Sequence, residues 1–482
     1  MANQDYGTLT LKKHPNTLKR RLSTFATFGL AFSNIGILSN TSATFQTVLQ
    51  RGGPVIMLLS WNTVAMFMLC VALSLAEICS LYPQSGGLYY WVFELLDQHP
   101  RLKKQAPIAA FVTGWTYSLA NIISIGATNV TVALSIGSVL NLTLHIDLDK
   151  TCLMLITLGI TSIHAYLNVR HMGLLSSLNQ WSVFWSCIGL LIIITVLSCI
   201  APHQNLTWVF THYQNQTGFE NPIYILILGC ECSATVNEET KDADTSSSIA
   251  MVSSIVVSWF VGLAFLIVLL FSIQNMEAIL NSTLHMPDAV GVWGTLAFLI
   301  LIAFCQFCTG ATTTTVTSRQ IYALARDDAT PMSNILSKIN SKTQLPDNAV
   351  WFTMIMTFLV VLPFPLSEHL FETIVSATTI TIHFSYAMVL GSRLLYIIAS
   401  DQSQKKGKIN LGKYSTLITF MGFLWSVFAV CAFVLPFSWP MTSDNFNYAG
   451  VGLITVIMTT LLFWLGWGRF YYNGPKATSD QF

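Results

Sequence analysis

Long apolar runs separated by short polar connections make up most of this chain. Many of the runs approach the roughly 20 residues that a helix needs to cross a bilayer. We count twelve, with approximate limits at 25–48, 54–81, 107–134, 151–168, 174–199, 222–237, 248–272, 290–317, 349–365, 372–398, 414–436 and 448–470. The pattern predicts an all-α polytopic membrane protein with both termini on one side.

Two of the predicted spans carry small and polar residues near their middle. Span 1 does so around Gly36, about 16 Å into the helix at the usual rise, and span 6 does so at Gly229-Cys230-Glu231-Cys232-Ser233. Irregular backbone at half the depth of a ~30 Å hydrocarbon core is tolerated where it lines a cavity or is buried in protein. We therefore expect both helices to be discontinuous and to form a substrate site together. Close packing of small residues between helices is the alternative.

The two interrupted spans each open one half of the chain, which is the pattern of an inverted-repeat transporter. We expect two five-helix repeats of opposite orientation, followed by two further helices. The expected segments are an N-terminal tail (1–24), the first repeat (25–199), an outer loop (200–221), the second repeat (222–398), an inner loop (399–413), helices 11 and 12 (414–470) and a C-terminal tail (471–482).

Charge predicts the orientation of these spans. If both termini are cytoplasmic, the inner segments hold 21 of the 23 Lys and Arg residues, and only Arg51 and Lys150 lie outside. This is the positive-inside asymmetry. The glycosylation sequons outside the spans agree, because all four fall in predicted outer loops, at Asn141, Asn205, Asn215 and Asn281. We expect a multi-pass protein of the plasma membrane.

Composition and motif spacing exclude several other classes. The chain is 53% hydrophobic and only 9% charged, whereas soluble domains carry about 25% charged residues. Nothing resembles a cleavable signal, a basic tract for nucleic acid, a hydrolase triad or a phosphate loop. Cys305 and Cys308 form a CxxC inside span 8 without a second pair, so we expect no metal site, no cofactor and no enzyme activity.

Three stretches resemble a known family. The first follows span 2 (76–91, AEICSLYPQSGGLYYW), the second follows span 8 (318–331, SRQIYALARDDATP), and the third closes span 6 (237–240, NEET). Together they resemble the amino acid–polyamine–organocation superfamily, and within it the fungal amino-acid and choline permeases, which carry GABA, choline, polyamines or thiamine. The resemblance implies a twelve-helix transporter with an inner gate.

The chain also departs from that family. Its glycine-rich carboxylate motif in span 1 is represented only by residues 36–40, GILSN. In span 6, relatives often have Gly-aromatic-Asp followed by a His, whereas this chain has Gly229-Cys230-Glu231 and Thr235 at the His position. These departures leave the substrate open.

Glu231 is the one formal charge near the centre of an apolar span. A charged side chain there costs about 2.5–3.5 kcal/mol on insertion scales, so it requires compensation. A bound cationic amine would supply it, and protonation of the carboxyl would remove the charge. We therefore expect Glu231 to serve both substrate binding and proton coupling. A structural carboxyl bonded to freed backbone is the alternative.

The remaining candidates follow from the same reasoning and from the resemblance. The expected substrate-binding residues are Gly36, Ile37, Leu38, Ser39, Asn40, Trp115, Tyr117, Gly229, Cys230, Glu231, Cys232 and Ser233, and the expected inner-gate residues are Glu77, Glu238, Glu239 and Arg319. Trp115 and Tyr117 are expected to face an ammonium group by cation–π contact. Core packing, a proton relay through His164 or His383, and a sodium site at Thr309, Thr312 and Thr313 stay open.

The sequence thus predicts a secondary carrier that imports a small cationic or zwitterionic amine, with protons preferred to sodium. A non-transporting receptor on the same fold and a facilitative carrier or channel are the alternatives.

Overall fold

We describe a computed structural model that covers residue 32 and residues 35–82, 87–234, 245–276, 287–366, 370–399, 407–442 and 446–476. Within these residues the regular structure is entirely helical.

Fifteen α-helical segments follow one another along the described chain. In order they are α1 Ile37–Leu81, α2 Leu88–Asp97, α3 Ala106–Leu144, α4 Lys150–Arg170, α5 Met172–Ile200, α6 Leu206–Thr211, α7 Pro222–Ala234, α8 Thr245–Phe271, α9 Pro287–Arg326, α10 Ser333–Leu336, α11 Asp347–Val361, α12 Leu370–Ala399, α13 Ser415–Ala432, α14 Ala449–Phe463 and α15 Arg469–Tyr471. A π-helical turn, Trp464–Gly468, joins the last two.

Ten helical segments of the described chain are long and apolar enough to cross a membrane. They correspond to predicted spans 2–5 and 7–12. The other two predicted spans are only partly described. Span 1 is described continuously only from Ile35, and α7 in span 6 covers 13 residues, or about 20 Å of a ~30 Å core. Twelve spans therefore stay a prediction.

The first long helix, α1, joins the end of span 1 to span 2 across a break at Gly53. Gly53 has φ 70° and ψ −169°, and Pro54 follows it as the first residue of the second part. A Cβ at residue 53 would lie 2.9 Å from the backbone nitrogen of Gln214. Glycine is thus required both by the backbone conformation and by the close approach of the loop that contains Gln214.

The helices of the two halves interlock rather than form separate bodies. α3 packs against α9 and α12, and α1 packs against α7 and α8. The outermost helices expose large apolar side chains such as Trp181 and Leu191 of α5. A continuous apolar exterior of this kind is what a lipid environment requires.

Candidate functional site

The break predicted in span 1 is present at Gly36. This residue adopts a left-handed conformation, with φ 59° and ψ 45°, and α1 begins directly after it at Ile37. Ile35, Ile37 and Leu38 around it are all at most 4% exposed. The first turn of α1 contains no acidic residue and no side-chain cap. The partially positive N-terminus of a helix therefore starts at a buried position inside the protein.

Asn40 stabilises this break through its side chain. Its Nδ2 donates a hydrogen bond to the carbonyl oxygen of Ile35 at 3.0 Å, which satisfies a carbonyl next to the interruption. Its Oδ1 accepts from Nε2 of Gln306 in α9 at 3.1 Å. The break is thus connected to span 8 by two side-chain amides. Ser39 lies in the helix, but its side chain is outside the described part.

Span 6 behaves differently from span 1. α7 is continuous from Pro222 to Ala234, so the break that we expected within Gly229–Ser233 does not lie there. Gly229 instead permits close packing, because a Cβ on it would lie 2.7 Å from Cγ2 of Ile56 in α1. Cys230 is buried. The side chains of Glu231 and Cys232, and residues 235–244 including Glu238 and Glu239, lie outside the described part.

α7 packs against the span 2 part of α1. The Oγ atoms of Ser233 and Ser60 lie 3.1 Å apart. Cys230 belongs to the same large buried cluster as Ile35, Ile37, Leu38 and Tyr117, a cluster that extends through much of the bundle. Of the two span 3 aromatics, Tyr117 belongs to this cluster and Trp115 does not.

Trp115 lies in a different environment from Tyr117. Its Nε1 donates to the carbonyl of Ala329 at 2.9 Å, and its ring packs edge-on against Phe463 at 5.1 Å. The side chain belongs to a second buried cluster, which includes residues of the loop after α9. The reason is helical geometry, since residues two apart on a helix face different directions. Our placement of Trp115 in the substrate site is not supported.

Glu77, the predicted inner-gate residue of α1, is buried together with a partner that the sequence analysis missed. Its Oε2 lies 3.7 Å from Nη2 of Arg393 in α12, and the two side chains are 5% and 4% exposed. Ser415 donates a hydrogen bond to the same oxygen, and the backbone N–H of Leu411 donates to Oε1 at 3.2 Å. Arg319, in contrast, is exposed. Glu77 thus joins span 2, span 10 and the connection to span 11.

The signature after span 8 is also anchored by buried polar contacts. The hydroxyl of Tyr89 donates to Oδ2 of Asp327 at 2.7 Å, and both residues are at most 1% exposed. Burial raises the pKa of the Asp327 carboxyl above its ordinary value, although the neighbouring Arg326 opposes this. Burial, followed by the Asp327 charge, raises the pKa of Tyr89 as well. This contact holds α2 against the end of α9.

A second ion pair and a contact with a loop lie at the end of the bundle opposite Glu77. Arg51, at the end of span 1, lies 3.9 Å from Glu372 in the first turn of α12. Its guanidinium also stacks over the ring of Phe437 at 4.2 Å. In the sequence, Arg51 is distinguished only as an exception to the charge asymmetry. Here it connects spans 1 and 10 at the ends distant from Glu77.

The predicted glycosylation sites stay predictions. Asn205 and Asn215 are exposed, and Asn141 is partly exposed. Asn205 caps α6 by accepting from the backbone N–H of Thr207 at 3.2 Å. Asn281 lies outside the described residues.

The threonines of the possible sodium site and the cysteines of the CxxC pattern make specific contacts in the bundle. The hydroxyls of Thr309, Thr312 and Thr313 donate to carbonyls four residues earlier in α9. Cys305 and Cys308 contact α5 through Ser186 and the Leu178 carbonyl. No group of three or more potential metal ligands occurs among the residues described.

Both buried histidines are packed inside the bundle. His383 Nδ1 lies 2.9 Å from the carbonyl of Thr379. His164 is fully buried between α3 and α9, where a Cβ on Gly310 would lie 2.5 Å from Asn129 Oδ1 and 2.8 Å from His164 Cε1. Glycine is required at residue 310 by this contact.

Comparison with known proteins agrees with the architecture. The family model described as "Amino acid permease" matches residues 22–459. The chain is 30% identical to amino-acid permease BAT1 of Arabidopsis thaliana, over 98% of this chain and 96% of that protein. It is 27% identical to the GABA-specific permease of Saccharomyces cerevisiae (95% and 84% covered) and 24% identical to the choline transporter of the same yeast (96% and 83% covered). The chain therefore belongs to the amino acid permease family and is a multi-pass membrane transport protein rather than an enzyme.

Proposed function

We propose that this protein is a secondary active transporter that imports a small amine-bearing solute by alternating access, coupled to protons. The observation that carries the proposal is the buried break at Gly36, whose neighbours Ile35, Ile37 and Leu38 belong to the same large buried cluster as Cys230 of span 6 and Tyr117 of span 3. A helix that starts in mid-membrane offers a polar backbone to a solute in an otherwise apolar core. Relatives named for amino acids, GABA and choline agree with an amine-bearing solute.

Twelve spans in two inverted five-helix repeats are part of the proposal. In such a repeat, spans 3 and 8 are equivalent, and so are spans 4 and 9. α3 packs against α9, and α4 packs against α11. Equivalent helices that contact each other are expected near a two-fold axis, so this packing supports the repeat.

Two ion pairs that could close the substrate site lie at opposite ends of the bundle. Positive-inside asymmetry places Glu77 and Arg393 at the cytoplasmic side, and Arg51 and Glu372 at the outer side. In the described conformation both ion pairs are present. Alternating access requires that the contacts on one side weaken while those on the other hold. We propose cytoplasmic termini and the plasma membrane as the location.

We propose that substrate and proton both bind at Glu231. Its backbone lies in α7 one residue after Cys230, which is buried. A carboxylate at this depth needs a proton or a cation to offset its charge. An ammonium substrate and a proton can thus exchange on the same group, which couples uptake to the pH gradient.

The test is uptake into proteoliposomes of labelled choline, GABA, putrescine, thiamine and basic amino acids, with and without an inward proton gradient. We expect one of these to accumulate against its gradient only when the proton gradient is present. Glu231→Gln should abolish accumulation at normal protein levels, whereas Glu220→Gln, an exposed carboxylate in the preceding loop, should leave it unchanged. Binding without uptake would indicate a receptor, uptake that never exceeds the electrochemical gradient would indicate a channel, and dependence on sodium instead of pH would contradict proton coupling.

A further inference from the structure

The amide chain at the break of span 1 has a fixed direction. It runs from the Ile35 carbonyl through the side chain of Asn40 to the side chain of Gln306. A carbonyl can only accept, so Asn40 must present its NH₂ group to Ile35 and its Oδ1 to α9. Gln306 must then present its own NH₂ group to Asn40. The orientation of both amides follows from one backbone oxygen.

This direction leaves Oε1 of Gln306 as the terminal group of the chain. Within the described structure that oxygen is buried and has no hydrogen-bond partner, and the residue as a whole is 2% exposed. A buried acceptor without a donor is unfavourable, and native proteins rarely retain one without a function. Oε1 of Gln306 is therefore available to accept a hydrogen bond from a donor that binds at the break.

The location of Gln306 suggests which donor it is. The residue contacts Asn40, which donates a hydrogen bond to the Ile35 carbonyl at the break. This break is proposed as half of the substrate site. We propose that Oε1 of Gln306 accepts a hydrogen bond from an N–H of the substrate's ammonium group, so that the protein selects amines that carry N–H over quaternary ammonium compounds. This inference rests on the proposed function and narrows its substrate class, because choline has no N–H to donate whereas GABA, polyamines and amino acids do.

The expected size of this selection follows from the surroundings. Apolar residues lie near both amides in the sequence. Leu38 comes two residues before Asn40 in α1, and Ile302 comes four residues before Gln306 in α9. Both belong to the buried apolar cluster. A hydrogen bond to a charged group is stronger there than in water. Loss of such a bond weakens binding roughly 10- to 100-fold. A quaternary ammonium would lose the bond and leave the oxygen unsatisfied.

Two substitutions at residue 306 separate this role from a structural one. Gln306→Met removes the amide nitrogen and the acceptor oxygen, whereas Gln306→Glu removes the amide nitrogen and keeps an acceptor oxygen. Binding is measured on the purified full-length protein with two pairs of probes, ethanolamine with choline and GABA with its N-trimethyl derivative. Gln180→Met, the same change at an exposed position of α5, is the control for the chemistry of the substitution.

We expect the wild-type protein to bind the primary amine of at least one pair 10-fold or more tightly than its trimethyl partner. Gln306→Met should lose this preference by weakening the primary amine alone, and Gln306→Glu and Gln180→Met should retain it. Equal or tighter binding of the quaternary member by wild type would overturn the inference, and uphill choline uptake would then still leave the proposed function intact. If both variants at residue 306 lost the preference for the primary amine equally, Gln306 would have a structural role only. An effect of Gln306→Met that appears only in sodium would assign the oxygen to a sodium ion instead. Absence of binding by all four probes would overturn the inference, whereas the uptake test with putrescine, thiamine and basic amino acids would still decide the proposed function.

Discussion

Replacement of Glu77 by Gln tests the inner closure most directly. The change keeps the shape of the side chain and its acceptor for the Leu411 N–H, but it removes the negative charge 3.7 Å from the Arg393 guanidinium. Arg393 is 3% exposed, and its Nε and Nη1 have no hydrogen-bond partner in the described structure. The substitution thus leaves a buried cation without its counter-charge.

The magnitude follows from this geometry. Two charges about 4 Å apart interact by roughly 4 kcal/mol at the effective dielectric constant of 20 that suits protein sites. Breaking a buried pair from one side costs about 3–5 kcal/mol, mostly because the remaining charge is uncompensated. We expect Glu77→Gln to lower the free energy of unfolding by an amount in this range. Asp97→Asn is the control, because Asp97 forms an exposed ion pair with Lys103 at 3.4 Å and such pairs contribute about 0–1 kcal/mol.

The assay is a double-mutant cycle on detergent-solubilised protein, with unfolding followed by tryptophan fluorescence. The variants are Glu77→Gln, Arg393→Met and the double substitution. Removal of both charges leaves neither one unpaired, so the double variant should be more stable than the sum of the single effects by about 1–3 kcal/mol. Additive effects within about 0.5 kcal/mol would refute the reasoning, since Glu77 and Arg393 would then not be coupled.

Two further predictions concern buried contacts elsewhere in the bundle. Gly310→Ala should destabilise the protein by about 1–3 kcal/mol through overpacking against Asn129, whereas Gly159→Ala, where a Cβ meets nothing within 4 Å, should not lower the unfolding temperature. Asp327 has a pKa raised above its ordinary value of 3.8 by burial, so the stability it contributes is fully present below about pH 3.8 and falls as pH rises through the raised pKa. The unfolding temperature of wild type minus that of Asp327→Asn should therefore increase as pH is lowered from 7 to 4, and a difference independent of pH would contradict this.

Elements that depend on local pattern could be predicted from the sequence. Ten spans follow from apolar length alone, and the turn between spans 1 and 2 follows from Gly53 and Pro54. Partners that depend on tertiary contacts could not. Glu77 was expected to belong to a gate, with no partner assigned to it, and the structure pairs it with Arg393. Charge counting predicts the side of the membrane but not which of several cations a carboxylate will contact.

Gln306 was missed for a related reason. It lies between Cys305 and Cys308 in a CxxC pattern, whose recognisable residues are the cysteines, and these contact α5. An uncharged amide in an apolar span is the signal that would have identified it, because such a group needs a partner inside the protein. Asn40 carries the same signal, and it is the partner that the structure shows.

Gly36 and Gly229 show why small residues alone do not locate a helix break. Both lie near the middle of a span beside polar residues, yet Gly36 is left-handed and Gly229 is helical. Gly229 is explained by packing, since Ile56 leaves no room for a Cβ. The two cases differ in what happens to a freed carbonyl, because Asn40 returns to satisfy Ile35, whereas Ser233 contacts a neighbouring helix instead. The donor that Asn40 supplies to Ile35 therefore distinguishes the break at Gly36, since an interrupted helix needs an internal donor where water is absent.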